Sequence, residues 1–119
     1  MLKGNLYQIS DLQFQHGIVN ATIRLDAGHE IFKGHYPAHP VLPGACMLEM
    51  IKEVLSDALV KPLMMHKATQ IKFLKMIDPR ENRELKLEIK LSEDEGAYKA
   101  NATLIVAGSA ALKFQGVFK

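Results

Sequence analysis

Three stretches of this chain, Val19–Leu25, Leu85–Leu91 and Tyr98–Leu104, alternate apolar and polar residues at every step. Alternation sends successive side chains to opposite sides of an extended backbone, so each stretch reads as a strand with one buried and one wet face. Ile71–Ile77 and Ala111–Phe118 show the pattern more weakly, and Leu6–Phe14 more weakly still. The links His16-Gly17, Glu93-Asp94-Glu95-Gly96 and Gly108-Ser109 are short and carry residues that accept positive φ, as tight hairpins require. Links this short join antiparallel neighbours.

One stretch breaks the period. From Pro43 to about Val60 the apolar residues fall at helical spacing, on Leu48, Ile51, Leu55, Ala58 and Leu59. Met47, Met50 and Val54 widen that face, leaving Glu49, Lys52, Glu53 and Ser56 as a narrow polar strip. A helix this apolar is expected to be wrapped by the sheet, with Pro62 helping to end it. The pattern predicts an α+β fold, one long helix against five to six antiparallel strands, as a single domain over residues 1–119. A chain of 119 residues suffices for one core and not for two.

Lys and Arg number 15 against 13 Asp and Glu, a net charge of +2, which argues against a nucleic-acid binder relying on bulk charge. A single cysteine excludes an internal disulfide. No apolar run approaches membrane-spanning length, and Met1-Leu2-Lys3-Gly4-Asn5 has no apolar signal core. A soluble, cytoplasmic protein is expected.

The segment before the helix, Gly34-His35-Tyr36-Pro37-Ala38-His39-Pro40-Val41-Leu42-Pro43-Gly44, carries prolines at a spacing of three. Each proline holds itself and the preceding residue extended. In polyproline II, with three residues per turn, the rings line one side of a stiff arm. The arm runs into the helix start, where unpaired amides at Gly44 and Ala45 and the positive end of the helix dipole suit an oxygen gaining negative charge. His35 on the arm is a candidate base, and Glu49 on the polar strip a candidate acid.

Each has a plainer use. His35 also reads as a hydrogen-bonded loop residue, and Glu49 as a solvated carboxylate paired with Lys52 at i+3. His29, His35 and His39 match no closed zinc spacing and have no cysteine support, so no metal is expected. Cys46 sits where a thiolate is favoured, yet reads better as a packing residue. His16 and His66 read as turn and surface residues.

Phe32-Lys33-Gly34-His35-Tyr36-Pro37-Ala38-His39-Pro40-Val41-Leu42-Pro43-Gly44, followed by Leu48-Glu49-Met50, resembles the signature of the 3-hydroxyacyl-[acyl-carrier-protein] dehydratases. That family pairs a histidine after glycine with an acid fourteen residues on, and Glu49 falls at that distance from His35. Gln70-Ile71-Lys72-Phe73-Leu74-Lys75 is similar to the family's strand with a basic-aromatic pair. The resemblance implies a hotdog fold, a long central helix wrapped by a curved antiparallel sheet. It implies dehydration of a carrier-bound 3-hydroxyacyl thioester with no cofactor, the thioester itself being the electron sink. Related enzymes that also isomerise the double bond carry aspartate at the acid position, so Glu49 implies plain dehydration.

By the same resemblance His35 is the base, the Gly44 amide the oxyanion donor, and Glu49 the acid, contributed by different subunits of a homodimer. Ala45 and Pro43 flank the oxyanion position, and Phe32, Tyr36, Met47 and Met50 are candidate walls of the acyl tunnel. Glu53 stands where the family often has glutamine, and repels Glu49 if both face one pocket. Lys67, Lys72, Lys75, Arg80 and Arg83 outnumber Asp78 and Glu81 locally, and Lys72, Lys75 and Arg80 are candidate contacts for an acidic carrier. The alternatives are an acyl thioesterase of the same fold and a non-catalytic acyl-binding subunit.

Overall fold

The computed structural model describes residues 1–33 and 40–119. Most of the arm, including His35, Tyr36 and His39, lies outside the described residues. The elements are β1 (Tyr7–Gln15), β2 (Ile18–Leu25), a 3-10 turn (Glu30–Phe32), α1 (Gly44–Leu59), β3 (Met65–Phe73), β4 (Glu84–Asp94), β5 (Ala97–Val106) and β6 (Ser109–Phe118). The strands form one sheet in the order β1-β2-β4-β5-β6-β3, with every neighbouring pair antiparallel. This is the expected α+β fold.

Alternation places the core. Val19, Ala21, Ile23 and Leu25 of β2 are buried, as are Leu85, Leu87 and Ile89 of β4 and Ala100, Ala102, Leu104 and Val106 of β5. The hairpins turn at His16-Gly17, Glu95-Gly96 and Ala107-Gly108, all with positive φ. The last turn sits one residue earlier than the expected Gly108-Ser109, because Ser109 already pairs with Val106.

β3 departs most from expectation. It runs from Met65 to Phe73 rather than from Ile71 to Ile77, and almost all of it is exposed. A strand at the edge of a sheet with two wet faces shows no alternation, which hides Met65–Gln70 from a periodicity argument. Ile77 leaves the sheet because its side chain is fully buried and its carbonyl accepts the Leu42 amide at 2.9 Å.

In α1 the fully buried positions are Cys46, Met47, Met50, Ile51, Glu53, Val54 and Leu55, while Leu48, Ala58 and Leu59 are half-buried. Glu53 is therefore not on a polar strip as its spacing suggested, for reasons given below. The helix stops at Val60, ahead of Pro62. Val60 takes φ 53°, ψ 45°, its amide bonds the Asp57 carbonyl at 3.3 Å, and the Lys61 amide bonds the Ser56 carbonyl at 3.1 Å. Among the described residues no helix is long and apolar enough to cross a membrane.

Candidate active site

Helix α1 begins without a side-chain cap. Pro43 at the N-cap holds φ −63°, ψ 144°, an extended backbone suited to its ring, and its carbonyl accepts the Cys46 and Met47 amides at 3.0 and 3.2 Å. The amides of Gly44 and Ala45 have no acceptor among the described residues. Two uncommitted donors at the positive end of a helix dipole can hold an oxygen that gains charge during a reaction.

Gly44 is demanded by a neighbour. A Cβ at this position would lie 2.7 Å from Cζ of Phe73, whose ring at the end of β3 rests on the bare backbone. Val41, Met47, Phe73, Leu74 and Met76 give an apolar lining to a groove of about 450 Å³ beside Gly44, with Lys75 on its wall. Such a lining fits a hydrocarbon chain.

Glu49 lies five residues further, about 140° around the helix, and so opens on another side. It lines a second cavity, of about 340 Å³, with Met1, Leu2, Ala45 and Cys46. Ala45, whose amide has no acceptor among the described residues, lines the same cavity as Glu49. Glu49 Oε1 lies 2.7 Å from Lys52 Nζ, and the Glu49 side chain is 39% exposed. An ion pair so open to water holds its partners weakly, leaving Glu49 accessible to a ligand. Burial first, then the neighbouring charge of Glu49, pushes the Cys46 thiol above its ordinary range, which keeps it a protonated packing residue.

Glu53 turns away from this cavity. Its Oε2 accepts the Leu2 amide at 3.0 Å, and its Oε1 accepts the Lys3 amide at 2.8 Å and the Tyr7 hydroxyl at 2.8 Å. Burial pushes this carboxyl up; the Leu2 amide, the Tyr7 hydroxyl, the Lys3 amide and the Glu49 side chain together outweigh it and hold Glu53 below the usual carboxylate range. Burial above all, then the hydrogen bond to Glu53 and its charge, raises the Tyr7 hydroxyl and keeps it protonated.

The other sequence candidates are dispersed. Phe32 and Met50 sit in the core, while Met47 is buried and reaches the Gly44 groove. Lys72 and Lys75 are exposed, Lys72 standing opposite Lys113 across β3 and β6. Arg80 is bound to Asp78, with Nη2–Oδ2 at 2.9 Å and Nε–Oδ1 at 3.2 Å. His29 caps the 3-10 turn, its Nδ1 accepting the Ile31 amide at 3.0 Å. Periodicity and motif spacing did not single out Leu2 or Tyr7, because both reach the site from about fifty residues away. For Phe73 a signal existed, since a glycine inside the first helical turn marks a close approach.

Helix, sheet order and helix start together define an α+β domain of the hotdog type. Residues 8–109 match the ApeI-like family, described as ApeI dehydratase. The chain belongs to that family. It is 30% identical over 110 residues to the 3-hydroxyacyl-[acyl-carrier-protein] dehydratase FabZ of Bacillus cereus strain AH820, a match covering 86% of this chain and 72% of the relative. The dehydratase heterocomplex ApeI:P from Xenorhabdus doucetiae shares the fold, with a TM-score of 0.74 at 18% identity over 93% of this chain and 96% of that one. So does the (R)-hydratase from A. caviae involved in PHA biosynthesis, with a TM-score of 0.63 at 12% identity over 90% of this chain and 97% of that one.

Proposed function

We propose that this chain dehydrates a 3-hydroxyacyl thioester carried on acyl carrier protein to the trans-2-enoyl thioester, acting in the cytoplasm in acyl-chain biosynthesis. The carrying observation is the helix start, where Glu49 and the uncommitted amides of Gly44 and Ala45 adjoin two cavities. His35 takes the C2 proton, and the electron pair left behind forms the C2–C3 double bond as the C3 hydroxyl departs. Glu49 gives that hydroxyl a proton, so water leaves. The Gly44 amide holds the thioester oxygen while charge builds on it.

A homodimer is the working unit, with His35 and Glu49 of each site coming from different protomers. Support comes from β3, which has β6 on one side and an open edge on the other, and from the exposed Ile71, Phe73, Leu74 and Met76 beside it. Phe32, Tyr36, Met47 and Met50 are the proposed tunnel walls. Lys72 and Lys75 are the proposed carrier contacts, with Arg80 contributing less because Asp78 already holds it.

The test is incubation of the purified protein with a panel of carrier-bound 3-hydroxyacyl chains, read by mass spectrometry. Loss of one water with the thioester intact is expected. Release of free carrier thiol identifies a thioesterase instead, and an unchanged mass on every chain identifies a non-catalytic subunit.

A further inference from the structure

Glu53 is 2% exposed, the one buried charged side chain among the described residues. It receives three donors, all from the segment that leads into β1: the Leu2 and Lys3 amides and the Tyr7 hydroxyl. One helical turn further, Asp57 takes the ammonium of Lys3. The segment also closes on itself, the Leu6 amide bonding the Leu2 carbonyl at 2.8 Å and the Gly4 amide bonding the Tyr7 carbonyl at 2.8 Å. It is a compact loop stapled to α1 by two carboxylates.

Two observations tie this loop to the site. Met1 and Leu2 line the cavity that contains Glu49, Ala45 and Cys46. Glu53 also stands one helical turn from Glu49, near enough that the Glu49 side chain is among the groups holding its carboxyl down. One buried group thus holds the wall of the cavity and adjoins the glutamate that lines it.

We propose that Glu53 is a positioning residue for the dehydration: it fixes the segment Met1–Tyr7 as a wall of the Glu49 cavity and orients Glu49 toward the bound acyl thioester. The proposal rests on the reading of Glu49 as the acid. Glu53 touches no reacting atom; it acts through Glu49 and Leu2. It also accounts for the departure from the resembling family. A glutamine offers one acceptor oxygen and would turn its NH₂ toward one of the two backbone amides, whereas a carboxylate receives both. Glutamate at position 53 and the stapled loop are a single feature.

The experiment compares the wild-type chain with E53Q, Y7F and E49Q, well below their melting temperatures. It reads kcat and KM on a carrier-bound 3-hydroxyacyl substrate, and hydrogen exchange at the Leu2 and Lys3 amides. In E53Q those amides should exchange faster, and kcat should fall roughly 10- to 100-fold with KM within about threefold, as expected when a reacting geometry loosens. Y7F keeps the charge and both amide bonds, so it carries the kcat test if E53Q does not fold, with a smaller loss expected. A purely structural Glu53 would lower the melting temperature and leave kcat of the folded variants at the wild-type value, overturning the proposal. Unchanged exchange at Leu2 and Lys3 in E53Q overturns it as well. Wild-type turnover in E49Q overturns the acid assignment beneath it, whereas an inactive E49Q beside a fully active E53Q overturns the positioning role alone.

Discussion

In the second half of α1 each polar group has found its partner. Glu53 is bound by two amides and a hydroxyl, and Asp57 by Lys3. Ser56 Oγ donates to the Lys52 carbonyl at 2.8 Å and accepts the Leu63 amide at 3.1 Å. In the first half the amides of Gly44 and Ala45 have no acceptor among the described residues, and Glu49 lines a cavity with an open lysine pair and Glu53 beside it. Glu49 and Glu53 are the same residue type, one turn apart on the same helix. One is spent on the fold and the other is left available. Satisfied groups hold structure together; unsatisfied ones beside an apolar groove are what a reaction uses.

That contrast is tested most severely by substitutions on the available side. Replacing His35 by Ala or Glu49 by Gln should lower kcat/KM by roughly 10²–10⁴-fold each, the size of one acid–base role. Circular dichroism and melting temperature should stay near wild type for E49Q, since its pair with Lys52 is open to water and a glutamine can still hydrogen-bond its neighbours. A large loss of stability in E49Q would erase the distinction between the two glutamates.

Glu53→Leu, unlike E49Q, should cost stability as well as turnover. It strands the Leu2 and Lys3 amides and the Tyr7 hydroxyl without an acceptor, at about 1–3 kcal/mol for each buried group. A total of about 3 kcal/mol or more is a large share of the ~5–15 kcal/mol of a domain this size. Chemical denaturation measures it. Acid should act at the same place. The Glu53 carboxyl is held below its ordinary value in the folded state, so over the acidic window between the two values the unfolded chain binds the proton and the folded chain does not. Its contribution is therefore complete above the ordinary carboxylate range and lost as pH falls through the lowered folded value. Tyr7, Glu49 and the Lys3–Asp57 ion pair surround it. E53Q should flatten the acid side of the stability–pH curve.

The same contrast separates what the sequence made legible from what it did not. Strands β2, β4 and β5 were readable because each has one buried face, and a period of two follows from that geometry. The helix was readable for the same reason at a period of 3.6. β3 was misplaced because an edge strand exposed on both faces imposes no period, and its Met65–Gln70 half therefore looks like a loop. At the candidate site, Glu49 and Gly44 stood out through their spacing from the arm, and the structure sets each beside a cavity. Glu53 was read as a solvated or repelling carboxylate because its partners, Leu2, Lys3 and Tyr7, come from a segment about fifty residues away. Local spacing cannot display a contact of that range, and only tertiary packing turns a charge inward.

Gly44→Ala probes the available side by filling it. The new Cβ would meet the Phe73 ring at 2.7 Å, and that ring, 55% exposed, can swing into the apolar groove. Stability should fall by about 1 kcal/mol, the low end for crowding a packed contact, because the ring has room to move. The displaced ring narrows the groove, so KM should rise for long acyl chains and change little for short ones. A chain-length series of substrates reads the difference. Equal effects on all lengths would mean that the groove does not receive the chain.

The smallest effect is expected where the satisfied half ends. Val60 sits in the left-handed region with φ 53° and is 88% exposed, so its branched side chain strains the backbone and buries almost nothing. A left-handed conformation costs an L-residue about 1–2 kcal/mol, and glycine avoids that cost while losing about 0.4–1 kcal/mol through the freer unfolded chain. Val60→Gly should therefore stabilise the fold by about 0.5–1 kcal/mol and leave kcat and KM unchanged, since the helix end lies four turns from Gly44. Thermal unfolding and turnover on the same sample test both halves of the expectation. A gain in stability accompanied by a loss of activity would couple the two ends of α1, and the division between its structural and its reactive halves would have to be redrawn.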